Sequence, residues 1–409
     1  MPQPSTAPLD FEADFRETMD RLRRSLTECL SALQADPGSP RALGRQLELD
    51  KSLAWKVAQL ARPEDTDTVR MARQLPGPAG CKLVLEALRR AEAPVEPRQR
   101  LEEAFERFGR LVQVHGGNRA GLDVLLASLS AGSPDARGME NSRKQAFQGT
   151  SAMWGVQVRM RLGLHIVTPS EDPERVTLAT VAGLYDFRRL RAEARWPLIQ
   201  IHDFGTGLGE AEDFVSFESG VNDGTGLLRD FCSENLPPLE LAKTPHGFVR
   251  ELREGPLGRA GAHTFVFAHL RKAFAPLRGE QPGEFGEHLT VFNTPAERGQ
   301  VDLLLHRDLP FPGEPSAKLY SKLETGAQLE EDPSSRYELP VAETLRPLPG
   351  DRPTLATPHV PRYTELVDSV LDRLGTPLEE FRAWRFSLQY PPIPTVAAVR
   401  HDLAPPADA

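Results

Sequence analysis

The stretch SAMWGVQVRMRLGLHI, residues 151–166, contains the point where the hydrophobic pattern of the chain changes. Upstream of Trp154, apolar residues recur every three or four positions, which is the spacing of one buried helix face. From Val156 to Ile166 they recur at every second position, as in a strand with one apolar and one polar face. The change predicts an α+β fold, in which an all-α N-terminal domain is followed by a body that contains a mostly antiparallel sheet.

Breaks rich in proline, glycine and polar residues divide the chain further. In chain order, the predicted segments are a disordered tail (1–8), a helical domain (9–152), a strand-rich α+β domain (153–325), a proline-rich loop or linker (326–358), a C-terminal helix plus strand pair packed on the preceding domain (359–402) and a tail (403–409). Two pairs of strands are predicted to be neighbours. Residues 288–294 and 300–307 form an antiparallel hairpin, and residues 384–390 pair with 395–402.

The composition is that of a globular protein, with 39% hydrophobic and 26% charged residues in a chain of 409. No stretch approaches the roughly 18 apolar residues that a bilayer-spanning helix needs, and the first residues lack the pattern of a secretory signal. The cysteines Cys29, Cys81 and Cys232 are far apart, which argues against a disulfide framework or a cysteine zinc site. We therefore expect a cytoplasmic protein with no metal and no cofactor.

Charge is distributed unevenly along the chain. The formal net charge is −9, but residues 1–150 contain 22 Lys and Arg against 21 Asp and Glu, so residues 151–409 carry −10. Within residues 41–100 the count is 12 against 8. A mildly basic segment beside an acidic body focuses contact with a polyanion on one part of the chain.

Residues 41–60, RALGRQLELDKSLAWKVAQL, predict two short helices joined by a tight turn around Glu48. Gly44 lies midway along the first helix, where a small residue lets a second helix approach closely. Asp50 is a good N-cap for the second helix, because its carboxylate can accept hydrogen bonds from backbone N–H groups that have no partner within the helix. The residues expected to form the shared apolar seam are Leu43, Leu47, Leu49, Ala54 and Val57.

This pattern resembles the helix-turn-helix of repressor-like transcriptional regulators, in which the second helix enters the DNA major groove. The resemblance covers about residues 41–60 and implies duplex DNA as a partner. The implied DNA contacts are Lys51, Ser52, Trp55 and Lys56, with Arg41 and Arg45 near phosphates. Glu48 departs from the pattern, because it stands where a glycine is usual and brings a negative charge. The alternative is that the corner is only structural, in a non-catalytic protein-interaction or assembly protein.

The first predicted helix carries apolar residues in a 4-3-4-3-4 spacing, which places them on one stripe. They are Phe15, Met19, Leu22, Leu26, Cys29 and Leu33. The stripe has two interpretations. It forms a homodimer through residues 11–33, as regulators of palindromic sites require, or it packs onto its own domain.

An enzyme is the third hypothesis, and the sequence contains no coherent catalytic pattern for it. His306-Arg307-Asp308 and Asp203-Phe204-Gly205 resemble kinase motifs but occur in reversed order. The glycine-rich run at residues 205–209 is followed by acidic residues, which would repel a phosphate. The ligand or anion site that this hypothesis predicts comprises Arg159, Arg161, His165 and His202, brought together from adjoining strands.

Overall fold

The computed structural model of the chain describes residues 10–62, 67–129, 136–202, 215–216, 226–244, 247–281, 283–322 and 336–406. The chain divides into two compact units, Met1–Asp135 (unit 1) and Ala136–Ala409 (unit 2). Helices dominate the first unit and sheets the second, so the predicted α+β class is confirmed. Within the ranges just given, no helix is both long enough and apolar enough to cross a membrane.

Unit 1 consists of helices, whose starts are marked by residues that suit a helix N-terminus. The helices are α1 (Phe11–Ala32), α2 (Pro40–Gln46), α3 (Lys51–Ala61), α4 (Thr68–Gln74), α5 (Pro78–Arg90), α6 (Val95–Leu111) with a π-helical turn at Val112–Gly116, and α7 (Arg119–Leu129). The side chains of Asp10, Asp50 and Asp67 accept hydrogen bonds from the first turns of α1, α3 and α4. Proline occupies the first position of α2 and of α5, where its missing N–H costs no hydrogen bond.

The apolar stripe of α1 is buried inside unit 1. Phe15, Met19, Leu22 and Leu26 have no exposed surface and belong to one core cluster with residues of α3, α5, α6 and α7. Burying each such side chain contributes about 1.5–3 kcal/mol to folding. The stripe thus packs on its own domain and is not free to pair two subunits, so the homodimer through residues 11–33 lacks the apolar seam on which it was based.

The helix α8 (Ala136–Trp154) belongs to unit 2, so the boundary lies at residues 135/136 rather than at the predicted 152/153. Its side chains contact strand-rich parts of the chain. The ring of Phe147 lies 5.4 Å from that of Tyr390, and Arg143 forms an ion pair with Glu343. A helical period alone does not tell which unit a helix packs against, and here tertiary contacts decide.

Unit 2 contains fourteen strands among its described residues, in three sheets, and one further α-helix after α8. The strands are β1 (Val156–Pro169), β2 (Arg175–Arg189), β3 (Trp196–His202), β4 (Val215–Ser216), β5 (Leu239–Thr244), β6 (Gly247–Leu252), β7 (His263–Pro276), β8 (Phe285–Phe292), β9 (Ala296–His306), β10 (Ser316–Ser321), β11 (Glu338–Leu339), β12 (Arg346–Leu348), β13 (Phe381–Gln389) and β14 (Thr395–Asp402), and the helix is α9 (Tyr363–Leu374). The sheets have the orders β12-β13-β9-β1-β2-β7-β4, β11-β10-β14-β8 and β3-β6-β5.

The seven-stranded sheet is covered on both faces. On one face, Leu164 and Ile166 pack with Leu366 and Val370 of α9. On the other face, residues such as Val301 of β9 pack against side chains of the four-stranded sheet. Pairing is antiparallel except between β1 and β9, which are parallel. The predicted loop at 326–358 is mostly irregular from residue 336 onward, with only β11 and β12, and residues 323–335 lie outside the description.

Both predicted strand pairs are wrong. β8 pairs with β14 in the four-stranded sheet, whereas β9 lies between β1 and β13 in the seven-stranded sheet. The three residues between β8 and β9 therefore connect two sheets and do not form a hairpin turn. In the same way, β13 pairs with β9, and β14 pairs with β8 and β10. Residues 301–306 of β9 are all buried, which requires cover on both faces and explains why this strand is internal.

Candidate functional site

The corner between α2 and α3 has the backbone geometry of a tight helix-to-helix turn. The N–H of Leu47 donates to the carbonyl of Leu43 at 2.9 Å, and the N–H of Leu49 donates to the carbonyl of Gly44 at 2.9 Å. Between them, Glu48 has a φ of 52°, in the left-handed region that favours glycine. Glu48 thus takes the conformation expected of a turn glycine, at a cost of about 1–2 kcal/mol.

The carboxylate of Glu48 points to α5. Its Oε2 lies 3.7 Å from Nε of Arg90, and both side chains are mostly exposed. An ion pair in solvent contributes little stability, about 0–1 kcal/mol. The pair nevertheless places a compensating positive charge beside the one carboxylate that departs from the helix-turn-helix pattern.

The two helices approach closely at Gly44. A Cβ atom at that position would lie 3.0 Å from Cβ of Ala54 and 3.3 Å from the carbonyl oxygen of Leu49. Leu43 and Val57 of the predicted seam are fully buried beside this contact. The small residue is therefore required by the packing of α2 on α3.

Asp50 fixes the start of α3. Its Oδ1 accepts hydrogen bonds from the N–H groups of Ser52 at 2.8 Å and Leu53 at 3.1 Å. This satisfies two of the donors that a helix N-terminus leaves without partners. The cap leaves Lys51 and Ser52 in the exposed first turn of α3.

Five of the six residues predicted to contact DNA share one surface of unit 1. Arg41, Arg45, Lys51, Ser52 and Trp55 are exposed and line an open hollow between α2 and α3, whereas Lys56 is half-buried and is not part of that lining. The indole of Trp55 is 44% exposed, which is unusual for so large an apolar group. As far as the description of the chain extends, Arg41, Arg45, Lys51 and Lys56 form no ion pair. The hollow therefore presents basic side chains that form no ion pair within the described part of the chain, and the carboxylate of Asp50, which caps α3, also lines it.

The predicted ligand set in the strand-rich part does not form an open site. The Arg159 guanidinium is engaged by Asp186, with Nε 2.5 Å from Oδ2. Arg161 donates to backbone carbonyls, and burial lowers its pKa to about 10. His165 is buried against Thr290 of β8, with Nε2 3.0 Å from Oγ1. His202 belongs to β3 in the three-stranded sheet, and its side chain lies outside the description.

Arg161 and His165 are inaccessible because the four-stranded sheet covers the polar face of this part of β1. His165 lies in a stack of buried histidines, with ring centroids 5.4 Å from His165 to His288 and 5.1 Å from His288 to His401. Nδ1 of each ring, and Nε2 of His288, have no hydrogen-bond partner. Burial lowers the pKa of His165 and of His401 to about 4. Among the described residues, no group of three or more His, Cys, Asp or Glu side chains could hold a metal ion.

The structure instead contains a cleft of about 420 Å³ in unit 2 that the sequence did not predict as a site. Its lining comes from α8, β1, β9, β12, β13 and the segments on either side of β12. The lining residues are Glu140, Met160, Arg298, Gly299, Gln300, Glu343, Thr344, Arg346, Leu348, His359, Arg385, Ser387, Leu388 and Gln389. We refer to it as the β9–β13 cleft.

A buried carboxylate lies beneath this cleft. Asp302 has no exposed surface and accepts hydrogen bonds from Arg385 (Nε at 2.9 Å, Nη2 at 2.7 Å), from the hydroxyl of Tyr363 at 2.7 Å and from Gln300 at 3.1 Å. Burial raises the pKa of Asp302, and these donors oppose that rise. Burial lowers the pKa of Arg385, but the hydrogen bond and charge of Asp302 outweigh it and raise that pKa. The network holds the Arg385 guanidinium in one orientation.

The comparisons with known proteins do not identify this chain: no protein-family model matches it, and neither a curated protein nor a solved structure is significantly similar to it.

Proposed function

We propose that this protein binds duplex DNA through the α2–α3 corner and acts as a transcriptional regulator, with unit 2 as its ligand- or partner-sensing part. The observation that carries the proposal is the exposed hollow of unit 1, in which Arg41, Arg45 and Lys51 have no ion-pair partner among the residues that the structure describes. Solvent-exposed cations without partners are available to neutralise phosphates, and each neutralised phosphate releases a bound counterion.

The positions of α2 and α3 determine which residues are proposed to contact bases and which are proposed to contact the DNA backbone. Lys51, Ser52 and Trp55 lie in the first turns of α3, the part of a recognition helix that meets base edges in the major groove. Lysine reaches guanine acceptors or phosphate, a hydroxyl donates to phosphate, and an indole packs on sugar or a thymine methyl. Arg41 and Arg45 come from α2, the helix that crosses the backbone. The proposed contacts therefore read bases from α3 and position the corner from α2.

The test is a titration of the full chain into a fluorescent duplex of mixed sequence, at several salt concentrations. Each phosphate contact contributes about −0.9 to the slope of log K against log salt, so contacts from Arg41, Arg45, Lys51 and Lys56 give a slope of about −3 to −4. Lys51→Glu is expected to weaken binding by about tenfold or more and to make the slope less steep. Lys82→Glu is the matched control, because Lys82 is exposed on α5 and does not line the hollow.

Duplex affinity that does not change with salt, or an equal loss in Lys51→Glu and Lys82→Glu, would contradict DNA binding by this surface. That result would favour the second candidate function, a non-catalytic interaction or assembly protein. A specific observation supports this candidate: Met153 and Trp154, at the end of α8, are 68% and 54% exposed. Exposed apolar groups of this size often mark contact sites for other proteins.

A further inference from the structure

The β9–β13 cleft carries two groups of basic side chains in a fixed register. In the pairing of β9 with β13, Arg385 is opposite Asp302, Ser387 is opposite Gln300, and Gln389 is opposite Arg298. Directly paired residues project from the same face of a sheet, so these side chains form two parallel rows beneath the cleft.

Strand β12, which pairs with β13, adds a basic side chain at one end of these two rows. Arg346 of β12 is opposite Arg385, so two guanidinium groups come from neighbouring positions there. Arg298 lies four residues along β9 from Asp302, which is about 13 Å in an extended strand. The cleft thus has a basic group at each end, with the amide of Gln300 and the hydroxyl of Ser387 between them.

The charges that line the cleft are only partly compensated within the protein. Nε and Nη2 of Arg385 donate to Asp302, and Nη2 also donates to the carbonyl of Leu355 at 2.7 Å, but Nη1 has no hydrogen-bond partner among the described residues. Arg298 and Arg346 have neither hydrogen bond nor ion pair to any residue in the described ranges. Their guanidinium groups are therefore available to a ligand.

Two carboxylates also line the cleft. Glu343 is committed to Arg143, with Oε2 3.2 Å from Nη1. Glu140, on α8, has no partner among the described residues. Two free guanidinium groups and the open Nη1 of Arg385 therefore face one free carboxylate, and the uncompensated charge is positive.

We propose that the β9–β13 cleft binds a small organic dianion, with one acidic group on Arg298 and the other on Arg346 and Nη1 of Arg385. Arginine donates to carboxylate and phosphate groups in fixed, paired geometry, so both dicarboxylates and phosphorylated acids belong to this class. The volume of about 420 Å³ lies in the range of small-molecule sites. Asp302 and Tyr363 orient Arg385 before the ligand arrives, which lowers the ordering cost of binding.

The experiment is isothermal titration of the full chain with dicarboxylates of increasing length, from succinate to suberate, and with inorganic pyrophosphate. Adipamide, which has the length of a dicarboxylate and no charge, is the ligand control. We expect a dianion to bind and the diamide not to bind. If dicarboxylates bind, the natural ligand is assigned a carboxylate at each end. If only pyrophosphate binds, the natural ligand is assigned to the phosphorylated acids.

Three substitutions locate the site. Arg298→Gln and Arg346→Gln each remove one charge-assisted contact, so the Kd for the dianion rises about tenfold or more in each variant. Glu140→Gln removes a like charge and lowers that Kd. Arg253→Gln, at an exposed surface arginine paired with Glu240, leaves the Kd unchanged. Circular dichroism of each variant verifies that it is folded.

Absence of binding by every dianion at about 10 mM would overturn the proposal, since that limit corresponds to an affinity of no value for recognition. Unchanged affinity in Arg298→Gln and Arg346→Gln would overturn it too. Weaker binding of the dianion in Glu140→Gln would also contradict the proposal, because removing a like charge from the cleft is expected to strengthen that binding. Each outcome is independent of DNA binding by unit 1.

Discussion

Acidification is expected to destabilise unit 2 through its stacked histidines. The pKa of His165 is lowered to about 4 by burial and by the charge of Arg161, and burial lowers that of His401 to about 4. In the unfolded chain both return to the usual 6.5. Between these values the unfolded chain binds more protons than the folded unit. Stability is therefore complete above pH 6.5 and falls as the pH is lowered toward 4.

The magnitude follows from the size of the shift. A lowering from 6.5 to about 4 removes about 3 kcal/mol of stability per histidine below pH 4, and about 2 kcal/mol per histidine at pH 5. His165 and His401 together account for about 4 kcal/mol at pH 5. The pKa of His288 is lowered in the same direction by burial and by its two histidine neighbours, which adds to the effect. The sum is large against a typical domain stability of about 5–15 kcal/mol.

The assay is urea unfolding at pH 7 and at pH 5, followed by tryptophan fluorescence in a Trp55→Phe background, in which the remaining tryptophans, Trp154, Trp196 and Trp384, all belong to unit 2. His401→Gln removes one of the titrating rings. The difference in free energy of unfolding between the two pH values is expected to shrink by about 2 kcal/mol in this variant. Ser52→Ala, at an exposed position of unit 1 without an ionisable side chain, is the control variant and is expected to leave the difference unchanged. If both variants lose as much stability on acidification as the unsubstituted chain, the stacked histidines are not the acid-sensitive element.

Four substitutions test the packing that supports the two sites, each by chemical denaturation with far-ultraviolet circular dichroism. Asp50→Ala removes the cap of α3 and is expected to cost about 1 kcal/mol, and an unchanged midpoint would contradict the capping role. Gly44→Leu forces a side chain into the contact with Ala54 and is expected to cost about 1–3 kcal/mol, whereas a neutral effect would show that α2 and α3 can separate freely. Asp302→Ala leaves the Arg385 charge without its partner and is expected to cost about 3–5 kcal/mol, more than Tyr363→Phe at about 1 kcal/mol; equal costs would refute the ion pair as the main contact.

Local features were predictable where the local sequence determines them. The start of α3 at Lys51 follows from the capping ability of Asp50, and β1 follows from the alternation between Val156 and Ile166. The outward position of Lys51 and Trp55 likewise follows from helical spacing once the apolar seam is known. These features depend on interactions within a few residues, which a single sequence displays directly.

Sheet partners were not predictable in the same way. Alternation identifies β8 and β9 as strands, but nothing in their residues tells which sheet each one joins. The short segment between them suits a hairpin as well as a crossing between sheets. The hairpin prediction failed because β9 needs partners on both sides, and those partners are β1 and the distant β13.

The difficulty of predicting sheet partners from the sequence also explains why the predicted ligand residues do not form an open site and why the β9–β13 cleft was missed. Arg161 and His165 lie on the polar face of β1, and the sequence does not reveal that a second sheet covers them. The cleft was missed for the opposite reason. The alternating polar residues Arg385 and Ser387 were visible in β13, but only the register with β9 places them opposite Asp302 and Gln300, on the sheet face that also carries Arg298.

The strand order of unit 2 has a consequence for the timing of folding during synthesis. β13 lies inside the seven-stranded sheet and β14 inside the four-stranded sheet, although both are synthesised after every other described strand of unit 2. Unit 1 ends at residue 135, so it can fold long before β13 and β14 are synthesised. At about 5–20 residues per second, unit 2 waits on the order of ten to fifty seconds with both sheets incomplete. A premature stop before residue 381 would leave β9 and β10 as open edges, so β13 and β14 also protect the nascent chain from aggregation.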